Sequence, residues 1–246
     1  MLVNQHFNPH FNQNIIDLSM DRIEVQKILK AARVHGTIPD FRRAELGGVD
    51  LSGLDMHEAN LGEADLYRAD LTGANLHKAN LVFANMMKTT IVKVNLTLSN
   101  LVFANLRQAN LTGSNLEDAN VSAADLSGAD LSNANLSGAN LAEANFCKTN
   151  LSGANMSNAD FSNVAFEEAD LSGADLRGTN FDKANFWLAN LTKAVYNNQT
   201  VWSDDVDPSA AGAVKEKRWF GPLERLVDTF VRERASSSID IEDKKS

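Results

Sequence analysis

Hydrophobic residues recur at every fifth position along the middle of the chain. From Phe41 to Leu191 this position holds Leu in most cases and Phe, Met, Ile or Val in the others, which makes 31 consecutive units without a gap. The residue two places earlier is mostly Ala, and the residue between them is mostly Asn or Asp. A period of five fits neither an α-helix nor a plain β-strand. It fits a short extended segment that ends at a corner and then repeats.

The pattern also indicates which positions face inward. Residues two apart in an extended segment point to the same side, so the Ala and the Leu-like residue predict one continuous core. The Asn or Asp between them points elsewhere, and its side chain can bond the nearby backbone, as it does in turns. The last two positions of a unit are often Ser-Gly or Thr-Gly, which suits a surface corner. Three positions of every five are therefore expected to face water.

This pattern resembles the pentapeptide-repeat family, whose consensus is A-(D/N)-L-x-x, over about 155 of the 246 residues. The resemblance implies an all-β solenoid, a right-handed quadrilateral β-helix with four units per coil. The sequence supports the number four, because Val82-Phe83 and Val102-Phe103 lie 20 residues apart. Five Ser/Thr-Gly pairs are also separated from one another by multiples of 20; they begin at Ser52, Thr72, Thr112, Ser152 and Ser172. We expect about eight coils at a strand spacing of about 4.8 Å, which gives a rod roughly 35–40 Å long.

The ends of a solenoid need caps, because they expose unpaired backbone groups and the core. Residues 21–34 predict a capping helix, with Asp21 as N-cap, Glu24 completing a capping box and Gly36 just past its end. The residues expected over the first coil are Ile23, Val25, Ile28, Leu29 and Ala32. After Leu191, the stretch YNNQTVWSDDVDPSAAGA resembles the closing segment of many cyanobacterial members of the family.

A second amphipathic helix is predicted near the C-terminus. Pro222 suits a first helical position, and one apolar stripe follows at helical spacing, made of Leu223, Leu226, Val227, Phe230 and Val231. Three interpretations remain open for this stripe: packing on the last coil, pairing in a homodimer, or lying on a membrane, which the mixed charge of the opposite face disfavours. The expected organisation is an arm and capping helix (1–38), the β-helix (39–194), a closing loop with the amphipathic helix (195–235) and a disordered tail (236–246).

Charge and composition narrow the class of protein. The formal net charge is −9, and residues 39–194 account for −8 of it. An acidic rod argues against direct binding of nucleic acid and leaves open a basic protein partner. No stretch approaches the roughly 18 apolar residues of a membrane span. The N-terminus lacks the pattern of a secretory signal and there is a single cysteine, so a cytoplasmic protein is expected.

No motif of a catalytic or cofactor site is found in the sequence, which lacks a P-loop, a G-x-G-x-x-G, an H-E-x-x-H, a C-x-x-C and a G-x-S-x-G. His57 and His77 lie 20 residues apart and would share an outer column, but the next members of that column, Thr97 and Glu117, supply no evident third ligand. Cys147 is expected to be a small structural residue. We therefore predict that the chain is not an enzyme and has no catalytic residues, no cofactor and no metal.

In one region, apolar residues occupy positions that are polar in the other units and are expected to face water. They are Val82, Phe83, Met87, Val92, Leu98, Val102 and Phe103. An exposed apolar cluster usually marks an interface, and aromatic residues are common anchors. Two interpretations are open: a site for an unknown protein partner, or a seat for the N-terminal arm, whose apolar residues are Leu2, Val3, Phe7, Phe11, Ile15 and Ile16.

The expected function is a non-enzymatic protein–protein interaction protein or regulatory scaffold that uses the rigid surface of the β-helix. The resemblance also implies an alternative, because some members of the family are acidic rods that imitate duplex DNA and bind type II topoisomerases such as gyrase. The acidic columns of this chain are broken, which disfavours that alternative. The fullest column is Asp50, Asp70, Thr90, Asn110, Asp130, Asn150, Asp170 and Asn190.

Overall fold

Parallel pairing at a spacing of 20 residues organises the molecule. A computed structural model describes residues 19–216, which all belong to the unit Met1–Val214 except Lys215 and Glu216 of the second unit. Single-residue parallel bridges join each unit to the unit 20 residues further on, from Asp40 with Asn60 to Asp175 with Val195. Four units therefore make one coil, which confirms the spacing read from the sequence.

Each unit ends in a tight turn whose third residue is left-handed. In a representative turn, the Ala84 amide donates to the Leu81 carbonyl at 3.0 Å, and Phe83 between them has φ 59°. Every unit from Arg43 to Lys193 has a positive φ at this position, which 22 non-glycine residues and nine glycines occupy. A type II turn makes the same demand on its third residue. The coil therefore displays one left-handed corner residue per unit, whatever its side chain.

The outward Asn and Asp side chains stabilise these turns and link the coils. The Thr72 amide donates to Asp70 Oδ1 at 2.9 Å, two residues back, as in an Asx turn. Asparagines also donate to the coil before: Asn95 Nδ2 lies 3.1 Å from Asn75 Oδ1, and Asn155 Nδ2 lies 2.9 Å from Asn135 Oδ1. These side chains therefore replace the water that the turn amides would otherwise need.

The core is a continuous column of inward side chains. The Leu-like positions from Phe41 to Phe181 are all buried, together with the alanines that precede them. Phenylalanines gather in the last coils, where Phe161 and Phe181 lie 5.7 Å apart between ring centroids. Where Thr or Ser replaces the inward Ala, the hydroxyl bonds a backbone carbonyl, as Thr149 does to Leu126 at 2.9 Å. The inward assignment made from the sequence is therefore confirmed.

The N-terminal cap is the helix α1, Arg22–His35. Asp21 and Glu24 form the predicted capping box, and Gly36 closes the helix with φ 62°. The helix buries Val25, Leu29 and Ala32, and Ile28 is partly buried against the core. The expectation for Ile23 is wrong, because its side chain is 59% exposed. Two residues make about 200° of helix, so Ile23 lies on the side opposite Val25.

Two arginines of α1 bind the exposed edge of the first coil. Arg22 donates to the carbonyls of Asp50 at 2.8 Å and Ser52 at 2.9 Å. Arg33 donates to the Asp55 carbonyl at 2.9 Å and to its carboxylate at 2.7 Å. The helix therefore covers the core and also satisfies carbonyl groups that have no preceding coil to pair with.

The C-terminal closure uses two short strands and one tryptophan. Strand β1, Val195–Tyr196, pairs with strand β2, Val214–Lys215. Trp202 stacks on Phe181 with centroids 5.1 Å apart and lies 5.7 Å from Phe186. This segment therefore closes the phenylalanine core. The predicted C-terminal stripe from Leu223 to Val231, the arm of residues 1–16 and the tail of residues 236–246 lie outside the described residues.

Candidate protein-interaction surface

Two exposed aromatic rings form the centre of the candidate surface. Phe83 and Phe103 stack with centroids 5.1 Å apart and an interplanar angle of 6°. They come from successive coils, since the Phe83 amide donates to the Val102 carbonyl at 3.1 Å. Their side chains remain 59% and 54% exposed. We call Val82, Phe83, Val102 and Phe103 the Phe corner.

The backbone of the Phe corner does not favour phenylalanine. Phe83 and Phe103 occupy the left-handed turn position with φ 59° and 58°, a conformation that bulky residues rarely adopt and that Asn and Gly accept more easily. Asn158 and Asn163 occupy the same turn position in later coils with φ 58° and 57°. Neither burial nor backbone geometry therefore explains the two phenylalanines.

The other apolar candidates lie on different corners of the coil. Leu98 is 50% exposed and belongs to the corner before Phe103, whereas half-buried Met87 belongs to the corner after Phe83. Val92 follows one turn later, on the corner diagonally opposite the Phe corner. The structure therefore groups Leu98 and Met87 beside the stacked rings and separates Val92 from them.

A change of charge coincides with the Phe corner. Residues 71–116 contain no Asp or Glu but carry Lys78, Lys88, Lys93 and Arg107. By contrast, residues 39–70 carry eight acidic and three basic residues, and residues 117–191 carry eleven and three. We call residues 71–116 the basic band. The absence of acidic residues from the basic band is visible in the sequence when charges are counted coil by coil. It is not visible in the net charge of the whole repeat region.

Two of the four basic side chains of the basic band form ion pairs, and both pairs are long. Lys78 lies 3.8 Å from Glu58, and Arg107 lies 3.5 Å from Asp125. Among residues 19–216, Lys88 and Lys93 form no ion pair within 4 Å. The band therefore presents positive charge beside the Phe corner.

A second pair of exposed apolar side chains was not predicted from the sequence. Trp187 is 62% exposed and Leu188 is 66% exposed. Both occupy turn positions of the last coil, so the rule that assigns turn positions to the surface could have identified them. They lie about four coils from the Phe corner and serve below as a matched control.

The two candidate ligating histidines bond different partners in the structure. His57 Nδ1 lies 2.9 Å from Asp55 Oδ1, whereas His77 Nδ1 lies 2.6 Å from Thr97 Oγ1. Within residues 19–216, no group of three or more His, Cys, Asp or Glu side chains could hold a metal ion.

Partial burial, followed by the nearby charge of Glu167, raises the pKa of the Cys147 thiol above its usual value. No helix in the described part of the chain is long and apolar enough to cross a bilayer.

Comparison with known proteins is consistent with this architecture. The family model described as pentapeptide repeats matches the chain in eight copies, in overlapping stretches between residues 40 and 195. No curated protein sequence gives a significant match.

Solved structures of related proteins are also similar. HetL, a pentapeptide repeat protein involved in heterocyst differentiation regulation from the cyanobacterium Nostoc sp. strain PCC 7120, is 33% identical, with a TM-score of 0.35; the match covers 64% of this chain and 80% of HetL. QnrB1, a plasmid-mediated fluoroquinolone resistance protein, is 19% identical over 80% of this chain and 94% of its own, with a TM-score of 0.59. Rfr23 from the cyanobacterium Cyanothece 51142 is 21% identical over 72% and 98% of the two chains, with a TM-score of 0.31. The repeat at every fifth residue, the 20-residue coil and the match of the family model between residues 40 and 195 together show that the chain belongs to the pentapeptide repeat family.

Proposed function

We propose that the chain is a non-enzymatic interaction protein that binds a protein partner through the Phe corner. The observation that carries this proposal is the exposed face-to-face stack of Phe83 and Phe103 at two left-handed turn positions. The rest of the β-helix holds the two rings on a rigid backbone, which supports a role as a scaffold.

The energetics of the Phe corner suit an anchor. Each half-exposed ring offers about 100 Å² of apolar surface, worth about 2–3 kcal/mol when a partner removes it from water. The rings already restrain each other, so a partner needs to immobilise less side-chain freedom on binding. A pair of aromatic anchors of this kind is typical of the centre of a protein–protein interface.

The test is the double change Phe83→Asn and Phe103→Asn in the full chain. Asn fits the backbone of these positions, as Asn158 and Asn163 show, so the variant should fold with nearly the same unfolding midpoint. Partners are captured from lysate of the native host and identified by mass spectrometry. The variant should fail to capture specific proteins that the unchanged chain captures.

The matched control is Trp187→Asn with Leu188→Asn, which removes a similar apolar area from another part of the surface. The control should retain the partners that the Phe-corner variant loses. The proposal fails if the Phe-corner variant captures the same proteins as the unchanged chain. Repeating the comparison without residues 1–16 shows whether the arm, rather than a partner, covers the rings: in that case the arm deletion aggregates and the double change restores its solubility.

The DNA-mimic alternative has less support. A mimic of duplex DNA needs continuous negative charge, whereas the basic band interrupts it over more than two coils. The likeness to QnrB1, at 19% identity, extends to the fold alone. We therefore expect weak or no inhibition in a gyrase supercoiling assay, and strong inhibition at low micromolar concentration would favour the mimic.

A homodimer through the predicted C-terminal stripe is a separate proposal, which light scattering across a range of protein concentrations tests.

A further inference from the structure

We propose that the partner of the Phe corner is an acidic segment of another protein that carries at least one apolar anchor residue. This inference rests on the proposed function, because it assigns a chemistry to the partner of the same surface. Its basis is the coincidence of the stacked rings with the basic band.

Two lysines lie on the corners that flank the Phe corner. Lys78 precedes Phe83 by five residues and Lys88 follows it by five, so each is one side of the coil away. Five residues span at most about 17 Å, and the turns shorten that distance. Both lysines occupy left-handed turn positions, with φ 56° and 59°, and point outward from the coil with the exposed turn residues. A segment that covers the rings therefore lies within reach of positive charge on both sides.

The flat sides beside the rings, in the coils that carry them, present asparagines rather than carboxylates. The side between Lys78 and Phe83 presents Asn80, and the next coil presents Asn100 at the same place. The side between Phe83 and Lys88 presents Asn85, which donates to Asp65 Oδ1 at 2.8 Å. Glu63, the nearest acid on the corner itself, is paired with Arg43 at 2.8 Å. All charged side chains of the coils that carry the rings, residues 71–116, are therefore basic, although the chain as a whole is acidic.

The extent of the basic band selects a protein segment over a long polyanion. The band covers just over two coils, which is about 11 Å along the rod at the strand spacing. That height is close to the screening length of roughly 8 Å in physiological salt. A nucleic acid or an anionic membrane would extend past the band onto the acidic coils on either side and be repelled there. A short run of Asp and Glu beside an aromatic or aliphatic residue matches both the rings and the band.

The experiment selects ligands from a displayed library of random linear peptides on the full-length protein. We expect enrichment of sequences that combine Asp or Glu with Phe, Trp or Leu. The selected peptide is then synthesised, and its affinity is measured by fluorescence anisotropy at low and at physiological ionic strength.

Matched charge reversals test the role of the band. Lys78→Glu with Lys88→Glu should weaken peptide binding by about tenfold or more, with the largest loss at low ionic strength. Lys148→Glu with Lys183→Glu makes the same change in net charge at the same turn position, with φ 59° and 57°. This control pair should change the affinity by less than about twofold, because the two sites lie outside the band.

The outcomes separate this inference from the proposed function. Selected peptides that need Phe83 and Phe103 but carry no acidic residues and ignore the charge reversal would overturn the acidic partner and leave the Phe corner as a binding site. Peptides that bind equally well after Phe83→Asn and Phe103→Asn would overturn both. Failure of the library to yield any peptide that depends on the rings would also overturn the inference. Tighter binding of oligothymidylate or phosphatidylglycerol vesicles through the same lysines, or self-association that the charge reversal abolishes, would assign the band to a different ligand.

Discussion

The five positions of each unit impose different demands on their side chains. The inward position admits Leu or Phe because it is sealed, as the complete burial of Leu111 illustrates. The next residue, Thr112, lies at the surface and bonds the outward Asn110 through its hydroxyl at 2.6 Å. Adjacent residues therefore differ sharply in what they tolerate.

Exchange of these two neighbours for lysine tests the inward and outward assignment. Leu111→Lys should destabilise the protein by about 4 kcal/mol or more, because it leaves a cavity and an unpaired buried charge. Thr112→Lys should change the free energy of unfolding by about 0.5 kcal/mol or less. Chemical denaturation of the two variants measures the difference, and equal midpoints would refute the assignment.

Sequence reasoning succeeded at this scale because each position repeats 31 times. It identified the surface position of Phe83 and Phe103 but not their left-handed backbone, since nine glycines among 31 residues give only a weak sign of positive φ. It also overlooked Leu188, which occupies the same left-handed position of a later turn with φ 57°, and Trp187, which precedes it. The strain at the Phe corner becomes visible only when the turn geometry is known.

At the scale of elements, the caps close the two ends by different means. Helix α1 begins and ends within one residue of its predicted bounds, because its capping signals are local in the sequence. The contacts of Arg22 and Arg33 with the first coil join residues at least 22 positions apart. Such contacts depend on how the helix lies on the coil, so the sequence could not predict them.

Trp202 is expected to stabilise the C-terminal closure. Trp202→Ala removes a ring that stacks on Phe181 at 5.1 Å, and because Trp202 is partly buried the loss should be about 2–4 kcal/mol. Thermal unfolding followed by circular dichroism measures the effect. Trp187→Ala, which removes an exposed indole, is the control and should leave the midpoint nearly unchanged. If the two variants have the same thermal unfolding midpoint, Trp202 does not close the core.

At the scale of the whole molecule, the 20-residue period places distant residues on one corner. Phe83 and Phe103 meet only because one coil separates them. The same 20-residue period places Lys78, Lys88 and the two rings in one region, and acidic coils lie before and after it. The sequence predicted the column of apolar residues, but the alternation of charge along the coils emerged only when charge was compared between individual coils.

Insertion of one extra unit tests this account of the geometry. An Ala-Asp-Leu-Ser-Gly unit between Leu98 and Ser99 should preserve folding but move Phe103 to a neighbouring corner, so that partner binding is lost. The same unit between Asp118 and Ala119 leaves the rings stacked and should leave binding intact. Both insertions add one quarter of a coil, so circular dichroism should show similar β content. Equal partner binding by the two variants would contradict a site built from stacked coils.

The most direct measurement places a photo-crosslinking phenylalanine analogue at position 83 in the full chain and irradiates it in lysate of the native host. Mass spectrometry should identify an adduct with another protein. The same analogue in place of Asn133, which has the same turn geometry with φ 56° on the opposite corner, should not form that adduct. An adduct at both positions, or a crosslink at position 83 that joins only residues 1–16 of the same chain, would contradict the proposal that the Phe corner binds a protein partner.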